Sequence, residues 1–124
     1  MRKILLVDDD SAYTWCLQNY LQNRGYRVKT TNTLEEARIA IKEEIPLLIC
    51  CDLDLPDGSG LELLDMVRAT YGTLPFILAS CHEKEAMHRG ATLCVDKLES
   101  SLLRAKLVEY AGLQLTEGQH PSFL

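Results

Sequence analysis

Two kinds of segment alternate along this chain, and that alternation constrains the fold more than any other feature. Short apolar runs rich in β-branched residues recur at 3–7, 26–30, 47–51, 75–79 and 92–95. Stretches of helical period lie between them. Tyr13, Cys16, Leu17, Tyr20 and Leu21 fall at i, i+3, i+4, i+7 and i+8, on one helix face, and Gly25 follows as a stop signal. Thr33-Leu34-Glu35-Glu36 has the capping-box form and predicts a second helix running to Glu44. Leu61, Leu64, Val67 and Tyr71 line a third, and Leu103, Leu107, Tyr110 and Ala111 line the last. Between His82 and Arg89 there is room for only two turns, so the fourth helix is expected to be shortened. Strands alternating with helices build a parallel sheet covered on both faces. Ile4-Leu5-Leu6-Val7 and Leu47-Leu48-Ile49 are continuously apolar, as strands buried on both sides require.

Composition narrows the function. The 124 residues carry a formal net charge of −5, with 47% hydrophobic and 25% charged residues. This is the composition of a globular domain, and its negative balance argues against direct nucleic-acid binding. No apolar run is long enough for a membrane span or a signal peptide. The five cysteines, at 16, 50, 51, 81 and 94, form no C-x-x-C pair, and His82 and His88 do not complete a zinc site. They read as reduced thiols of a cytoplasmic protein. Neither G-x-G-x-x-G nor a P-loop occurs, which removes the familiar nucleotide-binding readings. The residues from 114 to 124 show no pattern and read as a frayed end or truncated linker after a domain at 1–113.

In such a sheet, ligands gather at the carboxyl ends of the strands. Asp8, Asp9 and Asp10 follow the first strand and Asp52 ends the third; Ser80 follows the fourth and Lys97 the fifth. Asp10 directly precedes a helix and reads as its cap. Two unit charges about 5 Å apart repel by roughly 3 kcal/mol at an effective dielectric near 20. Asp8, Asp9 and Asp52 gathered together therefore call for a hard divalent cation beyond the single charge of Lys97, and Mg²⁺ is the usual choice where phosphates are handled.

These residues and their order resemble the receiver domain of two-component response regulators. The resemblance is carried by Ile4-Leu5-Leu6-Val7-Asp8-Asp9-Asp10, by the stretch from Pro46 through Asp52-Leu53-Asp54-Leu55-Pro56-Asp57-Gly58-Ser59-Gly60 to Leu64, by Pro75-Phe76-Ile77-Leu78-Ala79-Ser80, by Gly90-Ala91 and by Lys97. It implies a flavodoxin-like α/β fold, a doubly wound five-stranded parallel sheet of order 2-1-3-4-5. It also implies that Asp52 is the phosphoryl acceptor from a sensor histidine kinase or phosphotransfer protein. Asp9, Asp52 and the backbone carbonyl of Asp54 would hold Mg²⁺, with Asp8 acting through water. Ser80 would bind the phosphoryl group and Lys97 would pair with it, relaying the change to an output surface facing a second copy or a downstream protein. Asp54 and His82 stand where the family tunes the lifetime of the phosphoryl group. Such a module is not an enzyme beyond its own phosphorylation and dephosphorylation.

The chain also departs from the family pattern. Cys94 stands where an aromatic is usual, and Leu98 replaces the proline that commonly forms a cis bond after the lysine. A trans bond is expected at Lys97–Leu98, because a cis non-proline bond costs roughly 2.5–4 kcal/mol. Only nine residues separate Ser80 from Gly90, so signalling through the fourth-helix face is expected to differ from the usual mode. Two other readings compete: a pseudo-receiver that binds without phosphorylation, and a small haloacid-dehalogenase-type phosphatase suggested by Asp52-Leu53-Asp54. The order of the motifs, and the lack of room for a substrate cap, oppose the phosphatase.

Overall fold

Residues 2–79, 86–87 and 89–119 are described by a computed structural model. The main sheet consists of β1 (Ile4–Val7), β2 (Val28–Thr31), β3 (Leu48–Asp52), β6 (Phe76–Ala79) and β7 (Leu93–Val95), all parallel, in spatial order β2-β1-β3-β6-β7. Counted within this sheet alone, the order is the expected 2-1-3-4-5. Helices α1 (Ser11–Gln22), α2 (Leu34–Glu43), α3 (Gly60–Tyr71) and α4 (Ser100–Gln119) connect and follow the strands.

Period-two alternation divides the apolar strand residues between two cores. Leu5, Val7, Ile49, Cys51, Phe76 and Leu78 pack with Leu34, Ala37 and Ile41 of α2 and with Leu61, Leu64 and Val67 of α3. Ile4, Leu6, Leu48, Cys50, Ile77 and Ala79 pack with Leu17 and Leu21 of α1 and with Leu103, Leu107 and Ala111 of α4. Burying each large aliphatic side chain contributes about 1.5–3 kcal/mol. The adjacent Cys50 and Cys51 thus belong to opposite faces of the sheet, and both are free thiols, as is Cys16 on α1.

Three local features differ from the sequence reading. Helix α4 continues to Gln119, through residues read as a patternless tail. Its buried stripe of Leu103, Leu107 and Ala111 is extended at the same spacing of four by Leu115, which packs on the same core. A two-residue antiparallel pair, β4 (Asp54–Leu55) with β5 (Gly58–Ser59), follows β3. The turn between them presents Asp57 to the start of α2, where its Oδ1 and Oδ2 accept the N–H groups of Leu34 at 2.8 Å and Glu35 at 3.1 Å. Thr33 caps α2 as expected by accepting the N–H of Glu36, but the Glu36 carboxylate turns back to the N–H of Asn32 at 2.9 Å. The shortened fourth helix lies largely outside the described residues.

Two contacts fix the frame around the carboxyl edge. Ser59 and Glu62 form a reciprocal capping box at the start of α3. Gly60 brings this helix against β3 so closely that a Cβ there would collide with the Asp52 carbonyl oxygen. At the other end of α3, the Arg68 guanidinium donates to the carbonyls of Gly90 at 2.6 Å, Gly72 at 2.8 Å and Leu74 at 2.7 Å, and to Thr92 Oγ1 at 3.3 Å. Thr92 Oγ1 also accepts the N–H of Phe76, so one arginine ties α3 to the approaches of β6 and β7.

Candidate functional site

Strand register delivers the acidic groups. Val7 of β1 pairs with Cys51 of β3, so Asp8 and Asp52 follow paired positions on neighbouring strands and emerge side by side. Asp8 is buried; its N–H donates to the Thr31 carbonyl at 3.0 Å and its Oδ1 accepts the N–H of Asp10 at 2.9 Å. Asp9, next in the chain, is exposed. Asp52 is half-buried, with Oδ1 held by the N–H of Leu53 at 2.8 Å. One carboxylate oxygen from each of Asp8, Asp9 and Asp52 lies within 4.8 Å of the other two. Lys97, two residues beyond β7, places Nζ 2.8 Å from Asp8 Oδ2 and 3.5 Å from Asp52 Oδ2. Asp10 is the α1 cap, its Oδ1 accepting the N–H of Tyr13 at 3.1 Å.

The electrostatics follow from crowding. Burial, then the charge of Asp8, raises the Asp52 carboxyl above the usual carboxylate range, against the lowering pull of Lys97 and the Leu53 N–H. Burial works to lower the Lys97 ammonium, but its pairing with Asp8 and then Asp52 prevails, and its pKa is raised. Three carboxylates against one ammonium leave two negative charges uncompensated, and an all-oxygen donor set of this kind could hold a hard divalent ion. The neighbouring thiols are not competing nucleophiles. Burial, with Asp8 and Asp52 adding to it, pushes Cys50 up to about 12. Burial likewise holds Cys51 well above its ordinary value, and its S–H donates to the Asp52 carbonyl at 3.1 Å.

The sequence-derived candidates Asp8, Asp9, Asp52 and Lys97 therefore come together. Asp54 is exposed on β4, its backbone paired with Ser59. Ser80 and His82 lie outside the described residues. Cys94 is partly buried against the α2–α3 core. No cis peptide occurs among the described residues, so Lys97–Leu98 is trans, and Leu98 is exposed. Sequence reasoning missed Tyr13 as a neighbour of the site, assigning it only to the apolar face of α1. Its hydroxyl donates to the Lys97 carbonyl at 3.3 Å, and its ring centroid lies 4.6 Å from the Lys97 ammonium. The available signal was its position, one helical turn past the acidic run.

A doubly wound sheet of this order with three acidic side chains and a lysine at one edge defines a receiver module. The chain belongs to the response regulator receiver domain family, which matches residues 4–107. It is similar to a CheY-like response regulator receiver domain protein from Methanospirillum hungatei, with a TM-score of 0.81, 27% identity, and coverage of 94% of this chain and 98% of that one. The beryllofluoride-activated NtrC4 receiver domain dimer is 31% identical, with a TM-score of 0.75 over 89% of this chain and 99% of that one. The photosynthetic apparatus regulatory protein RegA of Rhodobacter capsulatus is 33% identical over 67 residues, 54% of this chain and 36% of RegA. The match spans between 17% and 38% of the length of such curated relatives. Receiver domains are signalling modules. No helix among the described residues is long and apolar enough to cross a membrane.

Proposed function

We propose that this chain is a phosphoacceptor module in which Asp52 takes a phosphoryl group from a phosphohistidine of a sensor histidine kinase or phosphotransfer protein. The observation that carries this reading is the meeting of the Asp8, Asp9 and Asp52 oxygens within 4.8 Å, with Lys97 bridging Asp8 and Asp52. The Leu53 N–H and the Lys97 ammonium hold the two Asp52 oxygens and fix the plane of the carboxylate. An Asp52 oxygen forms a bond to phosphorus as the phosphorus–nitrogen bond breaks, and that bond's electron pair stays on the imidazole nitrogen. A carboxylate whose proton affinity is raised by burial is the better nucleophile for this step once ionised.

The donor chemistry fits Mg²⁺, which Asp9, Asp52 and the Asp54 carbonyl would hold, with Asp8 contributing through a water. When bound, it would neutralise charge on the phosphoryl oxygens. Lys97 pairs with the transferred group, and the Ser80 hydroxyl binds another of its oxygens, relaying the change to an output surface. Asp54 and His82 then tune its lifetime. The NtrC4 relative, a dimer in its activated form, supports a second copy of this chain as one partner for that surface.

Acetyl phosphate with Mg²⁺ tests the reading. Intact mass should rise by one phosphoryl group in the wild type and stay unchanged in Asp52→Asn. No addition to the wild type refutes it in favour of a binding-only module, and steady turnover of a phosphate ester refutes it in favour of a phosphatase.

A further inference from the structure

We propose that Tyr13 is a positioning residue that sets the Lys97 ammonium over Asp52, an inference that rests on Lys97 pairing with the phosphoryl group as read above. Lys97 needs such help. Among the described residues the β6–β7 ladder ends at the pair Ala79 and Val95, two residues before Lys97, and none of them pairs with the backbone at 97. Leu98, which follows, is 90% exposed and offers no packing anchor. The turn there is local: the Leu98 N–H donates to Asp96 Oδ1 at 2.9 Å and the Glu99 N–H to the Asp96 carbonyl at 2.9 Å.

Tyr13 holds Lys97 at both ends. Its hydroxyl donates to the Lys97 carbonyl, fixing the backbone, and its ring, with a centroid 4.6 Å from Nζ, receives the ammonium. That separation is within the range at which a cation is attracted to an aromatic face. Tyr13 is itself anchored, by its N–H on the Asp10 carboxylate and by packing against the α1–α4 core. Burial raises the phenol's pKa, so the hydroxyl stays a donor. The ring thus takes one side of the ammonium while Asp8 and Asp52 take another. A four-carbon side chain that would otherwise sample solvent is held ready for a group arriving on Asp52.

The test compares Tyr13→Phe, which keeps the ring, with Tyr13→Leu and Tyr13→Met, which remove it, with thermal melts identifying the folded ring-free variant. In protein carrying labelled lysine, the Lys97 ε-methylene signal should be displaced by the ring in wild type and Tyr13→Phe and return towards the ordinary lysine position without the ring. Phosphorylation by acetyl phosphate with Mg²⁺ should slow about fivefold in the ring-free variant and by about twofold in Tyr13→Phe, which keeps the ring but loses the long hydroxyl contact to the Lys97 carbonyl. An unmoved Lys97 signal or an unchanged rate in a folded ring-free variant overturns the inference. A wild type that takes no phosphoryl group overturns the proposed function instead, while the Lys97 signal still decides whether Tyr13 positions the ammonium.

Discussion

Asp52→Asn should make the metal-free protein more stable, although it removes the acceptor. Asp52 and Asp8 oxygens within 4.8 Å repel by about 3 kcal/mol at an effective dielectric near 20, and Asp9 adds a share reduced by its exposure. Lys97, 3.5 Å from Asp52, returns about 4–5 kcal/mol by the same measure, but it already serves Asp8 at the shorter distance. Attraction and repulsion therefore nearly offset, and burial decides the sign: the raised Asp52 pKa means that the ionised form is the costly one. A neutral amide of the same shape relieves a net cost on the order of 1–2 kcal/mol and leaves the Lys97–Asp8 pair intact. For a domain of this length, the gain corresponds to a Tm higher by about 4–8 °C. Calorimetry in a chelating buffer near neutral pH measures it. The pH dependence supplies an independent check. Because the folded-state pKa of Asp52 is raised, the native protein binds that proton more tightly than the unfolded chain. The wild-type penalty is then full above the folded pKa and disappears as pH falls below the ordinary carboxylate value. The advantage of the asparagine variant should shrink along the same path. A Tm unchanged or lowered by the substitution at neutral pH, or an advantage that grows on acidification, refutes the reasoning.

Other perturbations test neighbouring parts of the structure. Mg²⁺ at a hundred times its dissociation constant should stabilise the wild type by about 2.7 kcal/mol, read as a saturable rise in Tm that is much smaller in Asp52→Asn; an unmoved wild-type Tm counts against the cation site. Gly60→Ala drives a Cβ against the Asp52 carbonyl and should cost about 2–3 kcal/mol in urea unfolding, whereas a loss below about 0.5 would show that the helix yields freely. Arg68→Leu strands the Gly72, Leu74 and Gly90 carbonyls and should cost about 2–3 kcal/mol, with hydrogen exchange rising at the start of β7. Exchange unchanged there would remove Arg68 from its clamping role.

What the sequence made legible was periodic. Ile4 through Val7 announce a doubly covered strand because each residue has a core to enter, and the charged residues that break such runs, Asp8 and Asp52, mark the edge where the site forms. Contacts joining polar groups far apart in the chain carry no periodic signal. Arg68 stands four residues after buried Leu64 on α3, yet nothing local says that its guanidinium meets Gly90 and Thr92. Asp57 reads as an ordinary turn residue, and only the tertiary fold brings it to the α2 terminus. Tyr13 was legible as an amphipathic-face residue but not by what its hydroxyl and ring would meet. The continuation of α4 was readable in principle, since Leu115 keeps the spacing of Leu107 and Ala111.

β7 is the last strand of the main sheet in chain order, and this has a consequence for biosynthesis. Asp8, Asp9 and Asp52 leave the ribosome well before Lys97, the only ammonium given to them among the described residues. A nascent chain that has made β1 and β3 has its concentrated negative charge but not yet its counterion, and water must keep those carboxylates apart. Confinement of like charge is postponed until β7 docks, so this electrostatically demanding corner of the sheet is completed only after β1, β3 and β6 have all been synthesised.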